Sequence, residues 1–239
     1  MPAKSESANR EGRNAVFAQS VTGQPPDDVP VELVPLPSRG AAYTLDHPLH
    51  GAEVVSIRAM TAREEDILTS RALIKRGTVI THLLQSCIVD RGVDVGTLLG
   101  GDRNAVMVAL RITGYGPDYQ VEVPCGACQH VGKYTYSLSE LPLRRLELEP
   151  TNPGTNSLET VQPVSKKRIT FKFLTGADEE ELLLSHERRK KALPGSADNL
   201  ITAKLSACLL TVEGVPDRTG VVRFVSNMPA RDSLFLRKF

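Results

Sequence analysis

Apolar and polar positions alternate from Val54 onward. Val55, Ile57 and Ala59 fall on one side of an extended segment, Ser56 and Arg58 on the other, which predicts a strand. Thr61-Ala-Arg-Glu64 follows and has the form of a capping box, so a helix is expected from Ala62 towards Leu73, with Gly77 ending it. Residues 79–89 then place apolar side chains at helical spacing, which predicts a second helix. The same order returns downstream. "RITFKFL" (168–174) predicts a strand, Thr175-Gly-Ala-Asp178 a capped helix start, and residues 200–210 a helix beyond the break at Pro194-Gly195. Within these helices "LQSCIV" (84–89) parallels "LSACLL" (205–210), which puts Cys87 and Cys208 at matching positions. Turns at 90–94 and 213–218 lead to "LLGGDRNAVMVALR" and "NMPARDSLFLR", which match Asp102 with Asp232.

This recurrence reads as an internal duplication relating roughly 53–112 to 168–237. The intervals between the two Thr caps and the two helical cysteines differ only by the longer break "ALPGSAD". Between the copies, Tyr119, Val121 and Val123 alternate before Cys125-Gly-Ala-Cys128, and Val131, Tyr134 and Tyr136 come after it. That predicts a β-hairpin with C-x-x-C at its tip. Residues 149–165 form a polar linker rich in Pro, Asn and Ser. Residues 1–35 are polar, contain "QPPDD", and read as an extended arm that orders on a partner. The expected fold is α+β: duplicated strand–helix–helix units, an inserted C-x-x-C hairpin and an N-terminal arm. The expected segments are the arm at 1–35, a first repeat with the hairpin at 36–148, the linker at 149–165 and a second repeat at 166–239.

Composition narrows the function by exclusion. The 239 residues are 41% hydrophobic and 24% charged, ordinary for a folded domain with a core. No apolar run reaches the roughly 20 residues a membrane-spanning helix needs, and Met1–Arg13 lacks the apolar stretch of a secretion signal. A net charge of +1 disfavours a protein whose task is to wrap nucleic acid. Aromatic residues make up 5% and Trp is absent, which disfavours a sugar-stacking site.

Chemistry-bearing motifs are few. Without a secretion signal the four cysteines, Cys87, Cys125, Cys128 and Cys208, are expected in a reducing compartment, as a metal site or as plain buried thiols. C-x-x-C turns two thiols towards one point. If the duplication brings Cys87 and Cys208 together, the four thiolates can share a Zn²⁺ ion or an iron–sulfur cluster. His130 is an alternative fourth ligand. A thioredoxin-like role is weaker, because it needs the pair at a helix N-terminus and the flanks here are strand-like. "HPLH" (47–50) reads as a surface turn, "GGDR" (100–103) lacks a phosphate-loop pattern, and "HERRKK" (186–191) reads as a solvated helix face.

The phrases "LPSRG", "IRAMTAREEDIL", "LLQSCIVD", "LLGGDR" and "LRITGYGPDYQVEVPCGAC" together resemble the baseplate hub and hub-assembly proteins of T-even-like contractile-tailed bacteriophages. The resemblance spans about 36–148 well and the C-terminal half more loosely. It implies a non-enzymatic structural subunit, located in the virion tail baseplate and assembled in the host cytoplasm. The implied partners are other tail proteins: hub, tube, tape measure and wedge. No membrane, nucleic acid or small-molecule substrate is expected. The alternatives are a transient baseplate-assembly chaperone, a metal-binding redox protein or a nucleic-acid-binding protein.

Overall fold

The computed structural model describes residues 29–193 and 198–239. Most of the expected arm and the Pro194-Gly195 break therefore lie outside the described residues. The architecture is mixed α and β, with three small antiparallel sheets and eight α-helices among the described residues.

The first unit opens with β1 (Val31–Pro35), which pairs antiparallel with β2 (Val54–Arg58), Val34 opposite Val55. The end of the expected arm is extended, but the strand lies on β2 of its own chain. Val34 and Leu36 are buried there, and edge pairing satisfies the backbone that the prolines leave free. Along β2, Val55 and Ile57 face the core while Ser56 turns outward. The Ser56 N–H and hydroxyl donate to the Asp90 carboxylate at 2.6 and 3.1 Å.

Helices α1 (Ala62–Thr69), α2 (Arg71–Arg76) and α3 (Val79–Cys87) follow, and α1 packs on α3. The helix expected through Leu73 is split because Ser70 leaves the helical region (φ −66°, ψ 105°). Gly77, at φ 73°, ends α2 by donating to the Ile74 and Leu73 carbonyls. The chain returns to β2 through an Ile88–Ile57 bridge, and α4 (Gly100–Tyr115) completes the unit. Leu36, Val55, Ile57, Leu84, Cys87, Leu98, Val106 and Leu110 form its core.

The second unit also opens on an antiparallel strand pair followed by helices. Strands β5 (Leu158–Val161) and β6 (Arg168–Phe171) pair, with Thr160 opposite Ile169. The stretch expected to be linker thus contributes an edge strand, because Leu158 supplies apolar surface to a second core. Helices α5 (Gly176–Ala192) and α6 (Leu200–Cys208) follow. The helix expected to reach Leu210 stops at Cys208, where the chain turns directly into β7 (Leu209–Val212) on the open edge of β6. The Lys172 N–H donates to the Cys208 carbonyl at 2.8 Å across that junction. Helices α7 (Arg218–Ser226) and α8 (Ala230–Leu236) close the unit. Ile169, Phe171, Leu205, Leu209, Val221 and Val225 fill its core, and Phe173 packs against both cores.

The units meet along a reciprocal backbone seam. The Gly100 N–H donates to the Leu174 carbonyl at 2.8 Å, and the Gly176 N–H donates to the Leu98 carbonyl at 2.9 Å. Arg103 pairs with Glu180 at 3.5 Å and donates to the Thr81 hydroxyl at 2.9 Å, and that hydroxyl in turn donates to Glu180.

Candidate interaction site

Between the units, β3 (Asp118–Pro124) and β4 (Val131–Ser137) form a hairpin that projects from the end of α4. Its base is anchored by α4. The Arg111 guanidinium donates to the Gly116 and Asp118 carbonyls at 3.0 and 3.3 Å and lies over the Tyr115 ring. The Leu138 N–H donates to the Pro117 carbonyl at 2.8 Å and closes the neck.

Strand alternation gives this hairpin two unlike faces. Tyr119 lies opposite Tyr136, Val121 opposite Tyr134 and Val123 opposite Gly132, so these apolar residues share one face. The other face carries Gln120, Glu122, Lys133 and Thr135, with Lys133 and Glu122 paired at 3.0 Å. The apolar face stays open: Tyr119 is 45% exposed, Val123 50%, Tyr134 51% and Tyr136 55%. A folded chain normally buries such a surface or presents it to a partner.

The tip, residues 125–130, is a tight knuckle. The Cys125 N–H donates to the His130 carbonyl at 2.8 Å, and the Gln129 N–H donates to the Cys125 carbonyl at 2.9 Å, with Gln129 at φ 60°. The Cys128 and Ala127 N–H groups and the Cys128 thiol donate to Cys125 Sγ and hold that thiol below its ordinary range. Both cysteines are exposed.

The expected convergence of Cys87, Cys125, Cys128 and Cys208 on one centre is not what the chain builds. Cys87 is sealed in the first core, where burial pushes its thiol up to about 12. Cys208 sits at the end of α6 beside Lys172 and Asp178, where burial raises its thiol to about 11. Cys87 stands near the Arg58–Glu64 pair and Cys208 near Lys172 and Asp178, each within its own unit. Among the described residues no three His, Cys, Asp or Glu side chains gather as a metal ion requires. His130 does not complete such a group. Cys125 and Cys128 alone remain together.

The buried charged groups, which sequence reasoning only partly found, serve the fold. Glu64 is fully buried and accepts from Arg58 at 2.7 and 3.2 Å, from the Ser86 hydroxyl at 2.6 Å, and from the Thr61 N–H and hydroxyl at 2.9 and 2.7 Å. Burial opposes its ionisation, but the donors from Arg58, Ser86 and Thr61 outweigh it and leave the carboxyl at about 2. Lys172 donates to both Asp178 oxygens at 3.0 Å, and the Thr175 N–H donates to Asp178 at 2.9 Å.

Asp102 accepts from the Ser38 N–H and hydroxyl and from the Tyr43 hydroxyl, at 2.9, 2.6 and 2.8 Å. Burial raises its pKa despite those donors. Asp232, equally buried, accepts from the Val164 and Ser165 N–H groups at 2.7 and 3.0 Å. The capping-box pattern was the signal that exposed Glu64 and Asp178. Asp102 and Asp232 each accept hydrogen bonds from a segment distant in sequence.

The hairpin presents an open amphipathic face on a firm base, and among the described residues the buried carboxylates Glu64, Asp102 and Asp232 are each engaged by a cap or a latch. The chain belongs to the T4 bacteriophage base plate protein family, whose model matches residues 40–159, half of its length. No curated protein and no solved structure matches it. A base plate protein works among other phage tail and base plate proteins. Among the described residues no helix is long and apolar enough to cross a membrane.

Proposed function

We propose that this chain is a non-enzymatic structural subunit in the hub or wedge region of a contractile phage tail base plate, held in the virion after assembly in the host cytoplasm. It joins hub, tube or tape-measure proteins, and the hairpin β3–β4 is its principal contact. The observation that carries this reading is the open face of Tyr119, Val123, Tyr134 and Tyr136, aimed away from both cores on a base fixed by Arg111. The non-catalytic reading draws support from Glu64, Asp102, Asp178 and Asp232, whose oxygens are engaged by caps and backbone donors.

The scaffold beneath the hairpin is read as an internal duplication. Arg58, Thr61 and Glu64 repeat in Lys172, Thr175 and Asp178, and the Ser38–Asp102 latch repeats in Val164 and Ser165 with Asp232. Such a scaffold places two similar helix-and-strand units on either side of one projecting contact.

The test is to introduce Tyr134→Ser and Tyr136→Ser together into the phage. The isolated variant should melt within about 0.5 kcal/mol of the parent, as exposed substitutions do. Mature particles, quantified by mass spectrometry, should contain several-fold less of it. Normal incorporation would remove the hairpin from the interface. Absence of the parent chain from mature particles would replace the structural subunit with a transient assembly factor.

A further inference from the structure

We infer that Cys125 and Cys128 are half of a tetrahedral zinc site whose other half is the same knuckle of a second copy of this chain. The inference stands on the knuckle's geometry and does not depend on which base plate proteins surround it.

The turn already has a ligating shape. Hydrogen bonds from the Cys125 N–H to the His130 carbonyl and from the Gln129 N–H to the Cys125 carbonyl lock the loop. Gly126 has open space on its Cβ side, so nothing in the chain crowds the loop there. Two thiols presented in one direction by a C-x-x-C turn are the standard half of a Cys₄ zinc site, which takes one such turn from each side.

Among the described residues no third His, Cys, Asp or Glu side chain joins the two thiols. Of the remaining cysteines, Cys87 is sealed in the first core and Cys208 sits at the end of α6. Residues 1–28 contain neither Cys nor His. His47 bonds Thr97 at 2.8 Å and stacks on Tyr43, and His50 bonds the Tyr43 carbonyl at 2.8 Å. A site completed in cis would need ligands that the fold has placed elsewhere.

A second copy supplies them: both thiols of the knuckle are exposed at the hairpin tip, so an identical tip brings the matching pair. A two-fold contact between hairpin tips aligns the two knuckles. On binding, the four thiols lose their protons and Zn²⁺ accepts four thiolates, so the site carries a net double negative charge and tightens as pH rises.

The experiment uses the full chain, purified without chelators and with reductant. Elemental analysis should find one Zn²⁺ per two chains, and light scattering should find a dimer that a zinc chelator splits and added Zn²⁺ restores. Cys125→Ser with Cys128→Ser should lose both the metal and the dimer. Its far-ultraviolet circular dichroism and melting should match the parent apart from the hairpin. One Zn²⁺ per chain in a monomer, a dimer indifferent to the chelator, iron in place of zinc, a Cys125–Cys128 disulfide that persists in reductant, or no bound metal would each overturn the inference.

Discussion

Arg58 and Lys172 hold equivalent posts: each stands three residues before the threonine that opens a helix and donates to the acid three residues after that threonine. The device is the same, but the surroundings differ. Arg58 and Glu64 are 10% and 0% exposed at the side chain, whereas Lys172 and Asp178 are 30% and 28% exposed.

Replacing Glu64 by Gln leaves the Arg58 charge buried without its counterion, so unfolding by urea should show a loss of about 3–5 kcal/mol at neutral pH. The sign of the pH dependence follows from the lowered carboxyl. Its contribution is complete above the unfolded value of 4.5 and disappears as pH falls towards the folded value of about 2. A displacement of that size is worth about 3 kcal/mol. The stability gap between parent and Glu64→Gln should therefore close between those two pH values. A gap that stays constant down to the lower one would refute the ionised pair.

Asp178→Asn removes the counterpart in partly solvated surroundings. The expected cost is about 1 kcal/mol, set by the lost cap bond and a weakened pair. Added salt should shrink this cost more than that of Glu64→Gln, because solvent reaches the Lys172–Asp178 pair. Equal costs and equal salt dependence in the two variants would show that burial does not separate them.

Gln162 is fully buried, and neither its side-chain nitrogen nor its oxygen has a hydrogen-bond partner among the described residues. Its backbone N–H donates to the Lys167 carbonyl at 2.9 Å, just as the N–H of the buried Leu36 donates to the Glu53 carbonyl at 2.8 Å. Gln162→Leu should raise the stability by about 1–2 kcal/mol, the desolvation cost of an unpaired amide. A thermal melt that falls instead would place a hydrogen-bonding partner at that amide.

Gly40 and Gly51 both have positive φ, at 70° and 67°, but only Gly40 is crowded. A Cβ there would run into the backbone of Leu49, Gly51 and Ala52, whereas at Gly51 it meets nothing within 4 Å. Gly40→Ala should cost about 3 kcal/mol or more through strain plus collision. Gly51→Ala should cost about 1 kcal/mol through backbone strain alone. Chemical denaturation of both variants separates the two causes, and similar losses would mean that the loop at 39–52 yields.

The local elements were legible because their signals are local. The Thr61 and Thr175 caps, the alternation of Val55 with Ile57, and Tyr119 to Val123 before the knuckle each act within a few residues. Asp102 and Asp232 could be matched from their phrases, yet not their partners, because Ser38 and Val164 reach them across more than sixty residues. The strand at Leu158–Val161 was hidden because Thr, Gln and Pro around it resemble a loop until β6 presents its edge. The four-cysteine centre failed for a related reason. Matching positions on matching helices say nothing of how two units are turned, and the seam through Leu98, Gly100, Leu174 and Gly176 leaves each helical thiol in its own unit.

The arrangement of the two cores sets a timetable for the chain as it is made. The buried members of the first core come from 34–110 and those of the second from 158–236. The first latch closes only when Asp102 meets Ser38, so the first unit becomes complete once α4 has emerged from the ribosome, with the second still unmade. Phe173, Leu174 and Gly176 then arrive against a surface already formed. The earlier unit serves as the template on which the later one is laid.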